Sequence, residues 1–150
     1  MRTMVMSFKP DVYERIACGQ KIFEHRRTFP DETIKVYKPI CAVMGILLLG
    51  KRHSLQKWKQ EFMEDREAVK RISDFMKSAN YAMEILEFTE TTKISLADLR
   101  EANIDFVVPQ MYYYIDNKPV LKFFEDKLTI TGRTIQHTFD IITSDIVCRH

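Results

Sequence analysis

Apolar and polar positions along this chain follow two periods, and the switches between them mark out its elements. Met4, Val5, Met6 and Phe8 lie in a short opening strand, MVMSF, that runs into Lys9 and Pro10. From there the spacing becomes helical, with Val12, Tyr13, Ile16 and Ala17 on one face. Pro10 suits the first helical position because its missing N–H would have no intrahelical partner, and Asp11 lies at the positive end of the dipole. Gly19 is placed to stop the helix. KIFEHRR then gathers Lys21, Glu24, His25, Arg26 and Arg27 around Ile22 and Phe23, which predicts a charged strand with apolar anchors. Pro30-Asp31 marks a turn, Ile34 and Val36 alternate with Lys35 and Tyr37 in a half-buried strand over 33–38, and Pro39 interrupts it. The run Ile40 to Leu49 is apolar apart from Gly45, and fits one long strand buried on both faces, or a strand bent at the glycine.

Ser54 is placed to cap a helix with Leu55, Trp58 and Phe62 on its apolar face, and the pattern resumes through Val69, Ile72, Phe75 and Met76. Two helices are expected over 54–79. Tyr81 to Thr89 returns to alternation and predicts a strand, and Ser95 caps a short helix, SLADLREA. Pro109 precedes the run Tyr112, Tyr113 and Tyr114, which suits an edge strand. KPVLKFFEDK reads as a helix with Pro119 in its first turn, and LTITGRTIQHTFDII as weakly β-like with a turn at Gly132-Arg133. The order gives an α+β chain, read as one domain over 1–150 with a helical insertion at about 54–79 and a C-terminal extension at about 117–150.

A length of 150 residues with 45% hydrophobic content suffices for one core. The first residues lack the length and cleavage site of a signal peptide, and no apolar run approaches the roughly 18 residues of a membrane span, so the expectation is a soluble cytoplasmic chain. Cys18, Cys41 and Cys148 form no Cys-x-x-Cys pattern and read as reduced thiols. His25, His53, His137 and His150 include no pair at metal-ligand spacing, and neither a metal nor a cofactor is expected. Charge changes the picture more. Residues 1–59 carry 12 lysines and arginines against 5 acidic residues, while residues 60–150 carry 11 against 16. The first third of the chain therefore builds either a solvated face or a basic surface suited to phosphate or nucleic acid.

The run MSFKPDVYERIACGQKIFEHRR resembles the opening motif of the ASCH domains, a branch of the PUA-like superfamily: a strand ending in Lys-Pro, a helix, Gly-x-Lys, then Glu-x-Arg. Lys9-Pro10, Gly19, Lys21, Glu24 and Arg26 match it, and the resemblance covers residues 4 to about 116. It implies a small curled β-barrel with flanking helices, and a basic cleft between the first helix and the barrel lined by Lys9, Lys21, Glu24 and Arg26. By the same resemblance Gln110 borders that cleft. The implied function is binding of RNA or a nucleotide-like ligand, in translation-linked or transcriptional regulation. Lys9, Lys21 and Arg26 would contact phosphate, Glu24 and Gln110 would read base edges, and one tyrosine of 112–114, with Tyr112 the first candidate, would stack on a base. In a regular strand Glu24 and Arg26 share a face and Lys21 points to the other, so all three reach the cleft only if Lys21 sits at the strand entrance or a bulge intervenes.

Two other readings stand beside this one. Small ASCH amidohydrolases acting on acylated cytidine resemble the chain at Lys21, but Glu24 stands where they carry a threonine nucleophile, which argues against their mechanism. A hydrolytic variant would use Glu24 as general base and Lys21 to stabilise an oxyanion. The other reading is a protein-interaction module that presents the helices of 54–79 to a partner protein.

Overall fold

The computed structural model describes residues 1–40 and 42–149. Strand β1 (Arg2–Met6) leads into helix α1 (Pro10–Ala17), which carries Pro10 and Asp11 in its first turn. Gly19 leaves that helix with φ +81°, a left-handed backbone that a Cβ would oppose. The charged segment follows as β2 (Phe23–Arg26). Next come β3 (Ile34–Ile40) and β4 (Ala42–Ser54). Helix α2 (Leu55–Glu61) starts on Ser54, whose side chain accepts from the Lys57 N–H, and α3 (Arg66–Met76) starts on Asp65, which accepts from the Ala68 N–H. The chain continues through β5 (Tyr81–Ser95) and α4 (Leu96–Glu101), the latter opened by a reciprocal Ser95–Asp98 capping box. It ends with β6 (Tyr112–Tyr114), α5 (Pro119–Lys127), β7 (Ile130–Gln136) and α6 (Ser144–Cys148). No described helix is long and apolar enough to cross a membrane.

Among the described residues the strands form one mixed sheet in the order β2-β5-β4-β3-β1-β6, with β7 also on β5. The length of β5 explains this branching: β2 pairs with Tyr81–Glu84 and β7 with Glu87–Thr91, end to end along the same side. Register shifts in the β4–β5 ladder at Val43/Gly45, Leu48/Leu49 and Leu49/Arg52 add local twist. The sheet curls into a half-barrel with flanking helices, an α+β architecture. Side chains alternate between its faces. Met4 and Met6 of β1, Val36 of β3, Leu47 of β4 and Ile85 of β5 pack with Ile16 and Ala17 of α1. On the opposite face α2, α3 and α6 cover Phe23 and Ala82, while Val5 and Tyr37 pack against Val120 and Phe124 of α5.

Four sequence expectations change. The apolar run from Ile40 to Leu49 is not one strand: Ile40 ends β3 and pairs with Ala42, the first residue of β4. Two successive strands of apolar residues give the same unbroken apolar string as one, so the change of strand leaves no polar mark; Cys41, and likewise His150, lie outside the described residues. Pro39 does not end β3, because the ladder shifts register at Lys38/Pro39 and so tolerates a residue without an N–H. Gly132-Arg133 makes no turn but lies within β7, where a Cβ on Gly132 would come 2.8 Å from Glu90 Oε1. Strand β5 alternates at its start, with Tyr81, Met83 and Ile85 toward α1 and Ala82 toward α2 and α3, but the alternation breaks before Phe88, which joins the α1 side. Helix α6 was not expected at all.

Gly45 tests this packing directly. A Cβ there would come 2.6 Å from the ring of Phe88, which is 1% exposed and held in the core. Gly45→Ala is expected to cost about 1–3 kcal/mol of unfolding free energy, read from the midpoint of urea denaturation. An unchanged midpoint would contradict the close approach of β4 and β5 at this point.

Candidate functional site

The short strand β2 places the charged residues, and its period of two sorts them. Phe23 points to the helical layer, with its ring 5.1 Å from that of Trp58. Glu24 and Arg26 point the other way and line a cavity of about 490 Å³ with Ser7, Lys9, His25 and Gln110. Arg26 closes one wall: its Nη2 donates to the Ser7 carbonyl at 2.6 Å and its guanidinium lies 5.3 Å from the Phe8 ring centre. Ser7 in turn donates through its hydroxyl to the Pro109 carbonyl, and its N–H donates to the Met111 carbonyl at 3.2 Å. Those two bonds hold the segment that carries Gln110 across the cavity.

Glu24 is 6% exposed. Its Oε1 lies 3.3 Å from Arg26 Nε, while its Oε2 is buried and accepts no hydrogen bond from any described residue. A buried carboxylate oxygen without a donor is costly, and one on a cavity wall is set to accept from whatever enters. Helix α1, which forms the facing wall, is pinned from outside. Arg133 of β7 donates to Glu14 at 2.9 Å and to Glu90 at 2.8 Å, and Tyr13 donates to Glu90 at 2.8 Å. Those donors, Arg133 first, pull the Glu90 carboxyl down to about 2.

The sequence-derived site residues thus divide. Lys9, Glu24, Arg26 and Gln110 come together on the cavity. Lys21 lies before the start of β2 and does not line it; its ammonium is 3.3 Å from His25 Nδ1 and only 7% of the residue is exposed. Burial lowers the Lys21 pKa, with the Glu24 charge acting against that. Tyr112 packs its ring against Phe29 at 5.5 Å, Tyr113 donates to the Val107 carbonyl, and Tyr114 lies under the Arg2 guanidinium at 3.9 Å. None of the three tyrosines is among the residues lining the cavity.

Lys38 was missed, and its position could have been read. It shares the strand parity of Ile34 and Val36, both buried on the α1 face, so it must enter the same layer. It is 1% exposed, with Nζ 3.7 Å from the Tyr13 ring centre and 5.5 Å from that of Phe8, and the amine has no hydrogen-bond partner among the described residues. Burial pulls its pKa down to about 7, against the opposing charges of Glu24 and Asp11. Cys18 and Cys148 form no disulfide among the described residues.

With this geometry in place, comparison with solved structures identifies the fold. The chain is similar to ASCH from Zymomonas mobilis, with 19% identity and a TM-score of 0.61 over 86% of this chain and 97% of that one. It is similar also to a serine-to-alanine variant of that protein, at 21% identity and a TM-score of 0.57 over 83% and 95% of the two chains. A tyrosine-to-phenylalanine variant gives 20% identity and a TM-score of 0.56 over 86% and 100%. No protein-family model and no curated protein matches the sequence. The likeness shows an ASCH fold of the PUA-like type.

Lys38 gives a stability prediction with a definite sign. In the unfolded chain it titrates near 10.5 and in the fold near 7, so between those values the unfolded state binds the extra proton and stability rises with pH. Below about 7 the buried charge is retained at a cost. Lys38→Met is therefore expected to be more stable than the natural chain at pH 6, by on the order of 1–3 kcal/mol. The gain shrinks as the pH climbs toward 10. Urea denaturation at a series of pH values checks this, and a gain that does not change with pH would contradict the buried amine.

Proposed function

We propose that this chain, which has the ASCH fold, binds single-stranded RNA or a nucleotide-like ligand in the cavity between α1 and β2. One observation carries the reading. Glu24 presents a buried, unpartnered carboxylate oxygen to a cavity that also holds Lys9, Arg26 and Gln110. A nucleobase offers amino and imino donors that such an oxygen accepts, and a phosphate offers the anion that an exposed lysine at the same cavity attracts. Gln110 can both donate and accept, so it suits the mixed edge of a base. None of Tyr112, Tyr113 and Tyr114 lies on the cavity, so the reading rests on hydrogen bonding and charge and assigns no stacking tyrosine. Recognition of one unstacked base beside a backbone contact suits a role in translation-linked or transcriptional regulation.

The geometry favours binding over hydrolysis. A hydrolytic site needs Glu24 and Lys21 over one substrate, and the Lys21 ammonium lies against His25 instead. The apolar faces of α2 and α3 are likewise spent, since Leu55, Trp58, Ala68 and Ile72 pack onto the sheet and leave polar surface outside.

Fluorescence anisotropy with four single-stranded RNA homopolymers at two salt concentrations tests the reading. Affinity is expected to fall as salt rises, and Lys9→Ala to weaken all four RNAs alike and lower the salt slope by about 1. Glu24→Gln is expected to erase the preference among the four, because an amide no longer accepts as a carboxylate does. Retention of the natural preference in Glu24→Gln, with the fold intact by circular dichroism, would overturn the reading.

A further inference from the structure

A second cavity, also of about 490 Å³, opens beyond the end of β4, away from α1. Lys51, Arg52, His53 and Lys57 line it together with the rings of Trp58 and Tyr81. The register shift between Leu49 and Arg52 delivers Lys51, Arg52 and His53 in succession. Two of them are fixed in place before any ligand arrives. Arg52 donates through Nη1 to the Phe29 carbonyl at 2.6 Å and lies 4.2 Å over the Tyr81 ring. His53 stacks on Trp58, with centres 4.9 Å apart and planes at 29°, and meets Phe23 edge-on at 6.1 Å.

The imidazole is also held electrically. His53 Nε2 is 2.7 Å from Glu84 Oε2, and the two side chains are 10% and 11% exposed. With Glu84 as acceptor the proton on Nε2 is fixed, so Nδ1 is the nitrogen left for a ligand, and it makes no hydrogen bond to any described residue. Lys51 and Lys57 are exposed and form no ion pair among the described residues. Two carboxylates, Asp31 and Glu61, share the lining and leave the cations in excess.

We propose that this cavity is a phosphate-binding site centred on His53 Nδ1, independent of the cleft at Glu24. A phosphate group suits it better than a carboxylate for two reasons. Its three free oxygens can engage Lys51, Lys57 and the imidazole at once, and it carries a second proton that titrates in the same range as an imidazole. A phosphate hydroxyl donates to neutral Nδ1, and a phosphate dianion accepts from protonated Nδ1, so contact is kept in either protonation state. Glu84, behind the ring, compensates the imidazolium when it forms. Both reasons require a terminal phosphate, that of a small metabolite or nucleotide, since an internal diester of a nucleic acid keeps only two free oxygens and no second proton.

Long-range proton–nitrogen NMR of the histidines, titrated with inorganic phosphate against chloride at matched ionic strength, reads the site directly. The His53 Nδ1 resonance is expected to move with phosphate while His25 and His137 stay in place. Lys57→Ala, at an exposed position, is expected to weaken the phosphate affinity roughly tenfold, His53→Gln to abolish it, and Lys122→Ala on α5 to leave it unchanged. Parallel titrations with a nucleoside monophosphate and a dinucleoside monophosphate check the need for a terminal phosphate: the monophosphate is expected to bind more tightly, and tighter binding of the diester would overturn the proposal. A His53 resonance that moves no more with phosphate than with chloride, or equal affinities in Lys57→Ala and the natural chain, would overturn the proposal.

Discussion

Strands β4 and β5 pair from Ala42 with Ser95 to Ser54 with Tyr81, and this ladder fixes where the other strands can lie. Strand β3 takes the free side of β4, and β1 and β6 follow from it. The free side of β5 is long enough for both β2 and β7. Its bulges impose the twist, and the curled sheet leaves β2 and β6 as edges. The candidate cleft is a consequence of that shape: the chain after β1, the edge strand β2 and the segment before β6 are brought together around Glu24.

The same ladder explains how two cavities of different character arise on one small fold. On the α1 face, Glu24 lies on β2, the partner of β5, and its orphaned oxygen faces a cavity. Toward the other end, β4 runs on past its last bulge to His53, opposite Ala82, and there Glu84 reaches the imidazole across the ladder. One glutamate is left short of a donor and the other is satisfied. An unsatisfied carboxylate favours a ligand that donates, while an imidazole backed by a carboxylate favours an anion. Arg133, Glu90, Glu14 and Tyr13 act as a clamp that holds α1 against β5 and β7, so the cleft wall is set by ion pairing as well as by apolar packing.

Much of this was legible in the chain. Pro10 and Gly19 bound α1, Ser54 and Ser95 cap their helices, and Pro109 announces an edge strand. These signals are local, because each depends on the hydrogen bonds of a few consecutive backbone groups. The Lys-Pro, Gly-x-Lys and Glu-x-Arg pattern also pointed to an ASCH fold, which the solved structures show. What could not be read was set by distant partners. The change from β3 to β4 after Ile40 is hidden because both strands are apolar there in sequence, and Gly132 looks like a turn until the approach of Glu90 is known. The tyrosines of β6 fall away from the cavity because a strand residue's neighbours come from other elements, and Lys21, just ahead of β2, turns to His25 instead. Lys38 lay within reach of parity alone, and the pair His53 and Glu84, 31 positions apart, did not.

Chemical-shift mapping of the isotope-labelled chain with a short single-stranded RNA tests the central claim most directly. The account predicts backbone and side-chain shifts concentrated at Ser7, Lys9, Glu24, Arg26, Ser78 and Gln110, the residues around the cavity of α1 and β2. Shifts confined to the outer faces of α2 and α3, or none at saturating RNA, would contradict it.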